Sequence, residues 1–284
     1  MLSIKDLGHG IVTQPKKLAA DWFKCFSMLY TVVKITTQFF PSLKIEGPWP
    51  LVAMILASLM YGLWKVWKPS HVVLAVANCD TCIEIMFGDL FIQDGIRAIA
   101  VNEFFDSELG KPVSPLSLHG IFLQKCFGGH TRDFDSLVNK ELAGTTSHIN
   151  LEKIQGKQEC YPIGTTALIP VNDDRYIIFA LAKTEPSTCK AYSNVEFMSK
   201  ALHDLWKRAR NEANGYPVNI PLVGGGLSGM GLPTNDLLNL IVLTAITETK
   251  TRQVTRIIRV VLHKSRFKDV DLRDFKSRFE KGRD

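Results

Sequence analysis

The sequence predicts an α/β fold, a three-layer α/β/α sandwich on a mixed sheet, preceded by an N-terminal hairpin of two apolar helices. Three observations predict it. From about residue 70 onward, short β-branched runs alternate with stripes of helical period. Residues 18 to 69 are far more apolar than the rest of the chain. A loop with five glycines in thirteen residues, P-L-V-G-G-G-L-S-G-M-G-L-P from Pro221 to Pro233, joins the end of a strand to the start of a helix. Around these features the chain of 284 residues, 46% hydrophobic and 22% charged, has an ordinary globular balance.

After a short N-terminal stretch over 1–17, two helices are expected at about 20–41 and 48–67. Gly47 to Trp64 carries no charge and is bounded by Trp49 at one end and by Trp64, Lys65, Trp67 and Lys68 at the other. Those flanks suit a bilayer interface, and the length approaches the roughly 20 residues a span needs. The earlier segment includes Lys24 and Lys34, costly in hydrocarbon unless they snorkel, pair or face water. It either spans the bilayer or lies in its interface. The turn Pro41 to Pro50 holds Lys44 balanced by Glu46, whereas Lys16, Lys17, Lys65 and Lys68 flank the pair. The positive-inside rule then places both ends in the cytoplasm. Ala53 with Ala57, and Ser58 with Gly62, have the four-residue spacing of small residues that lets such helices approach.

The remaining domain is expected over 70–284. Strands are predicted at 71–78, 82–87, 96–101, 166–171, 176–182, 218–223 and 256–263, the first two as a hairpin. Val195, Met198, Leu202, Leu205 and Ala209 share one helical stripe, as do Leu272, Phe275 and Phe279. Residues 237–246 are apolar nearly all round and belong in a core. Thr234, Asn235 and Asp236 offer N-caps for a helix beginning near Leu237. Six scattered cysteines in a chain of this length point to a reducing compartment, and C-D-T-C at Cys79 to Cys82 fits a hairpin turn. The formal charge of +6 is concentrated in the last thirty residues, whose few aromatics are not arranged as on a nucleic-acid surface, Phe275 and Phe279 falling on an apolar stripe with Leu272. That argues against a nucleic-acid surface and is compatible with lipid headgroups, an anionic ligand or plain solvent.

Glycine at this density serves either positive φ or a ligand that approaches closer than a Cβ allows. At a strand-to-helix junction, successive N–H groups of Gly224, Gly225, Gly226, Leu227 and Ser228 suit a phosphate. The loop has neither the dinucleotide fingerprint with its acidic partner nor the lysine of a Walker loop. His119, His130, His148, His203 and His263 show no metal or nucleophile spacing, so neither a metal nor catalysis is expected.

Phe87 to Gly110, F-G-D-L-F-I-Q-D-G-I-R-A-I-A-V-N-E-F-F-D-S-E-L-G, resembles the opening of a macro domain: a G-D-L turn after the second strand, then a strand ending in V-N. The glycine loop resembles the same family's phosphate-holding loop, so the likeness covers roughly 71–284. With the helices in front, the chain is similar to the membrane-anchored macro-domain effectors of type II Thoeris anti-phage defence. The resemblance implies a bacterial inner-membrane protein with a cytoplasmic macro domain and no cofactor. Its ligand would be an ADP-ribose derivative, such as a histidine conjugate, made from NAD by a TIR-domain partner. It further implies ligand-induced homo-oligomerisation that disrupts the lipid membrane. By the same resemblance Asp89 would take the adenine amine, with Leu90 supplying an N–H and an apolar wall. Asn102 would lie near the distal ribose, and Gly224, Gly225, Gly226, Leu227, Ser228, Gly229, Met230 and Gly231 would wrap the diphosphate. Gly164, Thr165 and Thr166 would line the far wall. The family's second Asn is Phe105 here, and Gly110 to Gly120 replaces a glycine-rich stretch. Both departures imply a reader of ADP-ribose. The alternatives are a membrane-tethered ADP-ribosyl hydrolase and a non-catalytic scaffold.

Overall fold

A computed structural model describes residues 4–40, 42, 45, 47–226 and 229–281. Leu227 and Ser228 of the glycine loop, Lys44 and Glu46 of the expected turn, and Arg283 of the basic tail lie outside the described residues. The helices are α1 (Ile4–Thr13), α2 (Pro15–Phe39), α3 (Trp49–Val66), α4 (Leu118–Phe127), α5 (Thr131–Leu142), α6 (Val195–Glu212), α7 (Thr234–Thr251) and α8 (Leu272–Lys281). The strands are β1 (His71–Ala75), β2 (Cys82–Phe87), β3 (Ile96–Asn102), β4 (His148–Ile149), β5 (Glu159–Cys160), β6 (Thr166–Val171), β7 (Asp174–Thr184), β8 (Ala191–Tyr192), β9 (Val218–Pro221) and β10 (Ile257–Leu262). They form two compact units, Met1–Val72 with Asp271–Asp284, and Val73–Val270.

In the first unit α2 and α3 pack closely through small residues. A Cβ on Gly62 would lie 3.1 Å from Leu18 Cδ1 and 3.3 Å from Trp22 Cβ, so glycine sets the approach. Of the two small-residue pairs in α3, Ser58 and Gly62 are buried, whereas Ala53 and Ala57 are exposed. Gly10 of α1 abuts the Val66 carbonyl and has no room for a Cβ, and Asp6 accepts from the Ser70 hydroxyl at 2.6 Å. Among the described helices only Trp49–Val66 is long and apolar enough to cross a membrane, by length and composition alone. The helix Pro15–Phe39 has the length, but its lysines and Asp21 lower its hydropathy. Arg273 of α8 donates to the Trp64 carbonyl at 3.3 Å and lies 5.7 Å above that indole.

The second unit is built on an eight-stranded sheet in the order β1-β2-β10-β9-β3-β7-β6, with β8 on the end of β7. The strands β2, β10, β9, β3 and β7 are mutually parallel and β6 is antiparallel to β7, which makes the sheet mixed. Strand side chains alternate between faces. Ile99, Val101, Ile178 and Ala180 pack into a core with Phe122 and Phe134 from α4 and α5. The alternate residues Ala98, Ile177 and Phe179 are equally buried on the opposite face, the side where α6 covers β7. Trp206 of α6, fully buried, donates its indole N–H to Thr244 of α7 at 3.1 Å. The sandwich therefore has three layers.

Two expectations are corrected. The helix after the glycine loop begins at Thr234, three residues before Leu237, and its N-cap is Pro233 with no side-chain cap. Thr234 and Asp236 sit in the first turn, where Asp236 suits the positive end of the helix dipole. Within the short N-terminal stretch 1–17 lies the helix α1.

Candidate functional site

Parallel strands deliver their C-terminal ends to one edge of the sheet, where ligands of open α/β folds bind. Phe87, Asn102, Thr184, Pro221 and Leu262 all end there. The residues immediately beyond them form the site.

The register of β3 against β7 shifts between Val101 and Asn102. Such a bulge re-aims the next side chain, and Asn102 lines a cavity of about 550 Å³. Its amide is fixed from behind. Asp106 N donates to Oδ1 at 3.1 Å, and Nδ2 donates to Asp106 Oδ2 at 2.7 Å. Asp106 is itself held by Lys153, whose Nζ lies 2.7 Å from both carboxylate oxygens, with both side chains fully buried. Phe105, at the position of the family's second Asn, has φ +49, is fully buried and meets Tyr161 edge-on at 5.6 Å.

The glycine loop enters the same cavity through Gly224 and Gly226. Only Gly224 (φ +81) and Gly231 (φ +68) of its described glycines adopt positive φ. At Gly224 an added Cβ would also collide with Met230 and reach 3.0 Å from Leu237. Gly226 is different: its Cβ would meet nothing within 4 Å, so its bareness serves the cavity. Gly229 and Met230 do not line the cavity; Met230 N instead closes the loop on the Gly224 carbonyl at 3.3 Å. Gly225 also stays off the lining and hands its carbonyl to Arg266 at 3.0 Å. The same guanidinium pairs with Asp269 at 3.2 Å, and Asp269 accepts from Thr234 at the start of α7 at 3.4 Å. Arg266 was not legible in the sequence, because it lies 41 residues from its partner. Arg266→Ala is expected to release the loop and weaken nucleotide binding roughly tenfold, as lost charge-assisted hydrogen bonds do, measured by calorimetry.

Asp89 and Leu90 lie on the same edge, after β2, but outside this cavity. Asp89 caps the single turn Leu90–Ile92, accepting from Phe91 N at 2.9 Å, and its second oxygen is 3.4 Å from Lys125. The Phe91 hydrogen bond, with help from Lys125, holds its carboxyl below the usual range despite partial burial. Its side chain remains about half exposed. Leu90 packs into the core and offers no exposed wall, since that turn points it inward. Gly164, Thr165 and Thr166 are also off the cavity: Gly164 abuts Asp204 of α6. The far wall is made instead by the loop Gly110–Ser117 and by Thr188–Ala191 at the tip between β7 and β8. His119 lines the cavity as well and is kept neutral, burial and then the charge of Lys157 pushing it down to about 3. Among the described residues no cluster of His, Cys, Asp and Glu could hold a metal ion.

These features accord with the comparisons. Residues 83–263 match the family described as "Thoeris protein ThsA, Macro domain". The Oceanobacillus iheyensis macrodomain with ADP is similar in structure, at TM-score 0.53 and 15% identity over 74% of this chain and 97% of that one. The same macrodomain with MES bound gives 0.52 and 14%, covering 74% and 98%. A mutant of it with ADPR gives 0.53 and 14%, covering 74% and 99%. At such identities the likeness is one of fold. No curated protein matches the chain in sequence. With the family matched over most of its length and the macro-domain fold in place, the chain belongs to the macro-domain family of the Thoeris protein ThsA.

Proposed function

We propose that this protein is a membrane-anchored receptor for an ADP-ribose-derived signal, and that ligand binding gathers several copies so that their apolar helices disrupt the membrane. The observation that carries the reading is the cavity at the sheet edge, where bare backbone from Gly224 and Gly226 faces Asn102. Backbone N–H groups at a strand end, next to the positive end of α7, suit a diphosphate. The similar macrodomains with ADP and ADPR, and the family itself, support the same ligand class. The signal comes from an NAD-consuming TIR-domain partner in this reading, a histidine conjugate being one candidate.

The protein binds its ligand without cleaving it. Phe105 supports this, since it fills a core site where the family's motif has a polar side chain. Anchoring is supported by Trp49–Val66, whose 18-residue window is only 17% buried and which carries indoles near both ends. Ligand must favour the assembled state over the free one for the signal to act.

Titration of the detergent-solubilised full chain with ADP-ribose, by calorimetry and light scattering, tests the reading. Saturable heat together with a rise in mass is expected. No heat, or an unchanged mass at saturation, overturns the receptor or the assembly step respectively. Free ADP-ribose released from a modified protein substrate would overturn the non-catalytic assignment.

A further inference from the structure

The far wall of the cavity carries a charge pattern that the diphosphate cradle does not explain. Two lysines, Lys111 and Lys190, stand on its lining with Ser114, Ser117 and Thr188, and among the described residues no Asp or Glu lines it. Neither lysine has an ion pair among the described residues, and both are exposed. On the same loops Glu108 accepts from Gln155 at 3.3 Å and Glu185 from Ser187 at 3.3 Å, and neither is within ion-pair distance of the lysines.

The two lysine-bearing loops are also tied to one strap, Asn150–Gln158. Gln155 Nε2 donates to the Lys111 carbonyl at 2.9 Å. Ile154 N donates to the Pro186 carbonyl at 3.3 Å, and Cys189 Sγ to the Gln155 carbonyl at 3.8 Å. The strap is pinned from below by the fully buried Lys153–Asp106 pair, and at Gly156 it comes so close to Asp106 that a Cβ would clash. The lysines therefore sit on loops whose backbones are held in place before any ligand arrives, which reduces the ordering cost of using them.

We propose that Lys111 and Lys190 form an anion-reading rim, and that the signal carries a negatively charged group, a carboxylate or a phosphate, beyond its second ribose. This rests on the reading of the cavity as an ADP-ribose site. With no acid among the described lining residues, an anion there meets two ammonium groups that have no ion pair, whereas a neutral or cationic substituent gains nothing from them. Selectivity for the charged ligand follows from that difference.

The test is calorimetry on the full chain in detergent with four ligands: ADP-ribose, ADP-ribose carrying a phosphate on the distal ribose, an amino-acid conjugate with a free carboxylate there, and the same conjugate amidated. At low salt the carboxylate conjugate is expected to bind roughly fivefold tighter than its amide, the size two exposed ion pairs give, and the ratio should shrink as salt rises. In the Lys111→Met, Lys190→Met double variant the ratio should fall to about one, whatever common loss both ligands suffer. A ratio that survives in the variant, or equal binding of acid and amide to the parent with no gain by the phosphate adduct over ADP-ribose, overturns the rim. A phosphate adduct that gains over ADP-ribose while the carboxylate conjugate does not exceed its amide identifies phosphate as the anion. If the parent binds none of the four, the ADP-ribose reading falls, and the rim with it.

Discussion

Gly226→Asp should abolish ADP-ribose binding, by at least about a hundredfold, with a melting temperature within about 2 °C of the parent's. The position is favourable for such a test. Gly226 does not occupy the left-handed region, is exposed, and a Cβ built there meets nothing within 4 Å. Its substitution therefore resembles an ordinary surface change, worth at most about 0.5 kcal/mol of stability. Yet Gly226 lines the cavity, so the new carboxylate would sit against a diphosphate. At the effective dielectric near a protein surface, like charges about 4 Å apart repel by about 4 kcal/mol. Calorimetry and thermal denaturation of the full chain measure the two halves of the prediction separately. A variant that binds with parental affinity would remove the diphosphate from this loop. Gly224 is the contrasting neighbour: with φ +81 and Met230 in the way, Gly224→Val should lose loop order and binding together.

The second large effect lies beneath Asn102. Asp106→Ala leaves Lys153 fully buried without its counter-charge, and removing one partner of a buried pair costs about 3–5 kcal/mol. Lys153 would keep only the Lys157 carbonyl at 2.7 Å and its place 4.1 Å from the Phe104 ring. Lys157 N would lose its acceptor at 2.8 Å. The expected readout is a large drop in the denaturant midpoint of the full chain. Asn102 would lose the carboxylate that accepts from its Nδ2 and keep only the bond from the residue 106 backbone N–H to its Oδ1, so ADP-ribose affinity should fall as well. Replacing both partners, Asp106→Leu with Lys153→Met, should recover much of the stability, because no charge is then stranded, while Asn102 Nδ2 still lacks its acceptor and binding stays weak. A stability change smaller than about 1 kcal/mol in the single variant would show that water reaches the pair.

The sequence made the scaffold legible where local chemistry dominates. Short runs such as Ile96–Val101 and Arg256–His263 are β-branched and apolar, and they became the interior strands of the sheet. The stripe from Val195 to Ala209 became α6, capped by Asn194 on Phe197 N at 2.8 Å. Where the chain between Glu103 and Thr165 builds its own layer, local signals were weaker. α5 starts after His130, with no side-chain cap, and its inward face is only Phe134, Val138 and Leu142. The site divides in the same way. The glycine loop and Asn102 stood out as motifs, but Asp106 and Lys153 are 47 residues apart and Arg266 is 41 from Gly225. Such pairings come from tertiary folding and leave no mark at any fixed spacing. Leu90 shows a related ambiguity: its side chain packs in the core, and an apolar residue in a motif can serve the core as readily as the ligand.

The buried ring of Phe105 limits what could replace it. Asparagine accommodates a left-handed backbone more readily than phenylalanine does, so the conformation itself would welcome the polar residue. The vacated volume would not: emptying a filled aromatic position costs about 3–5 kcal/mol, a large part of what holds a domain together. Phe105→Asn would thus register first as a folding defect, whatever it did to the chemistry of the cavity. The ring at this position is held in place by packing.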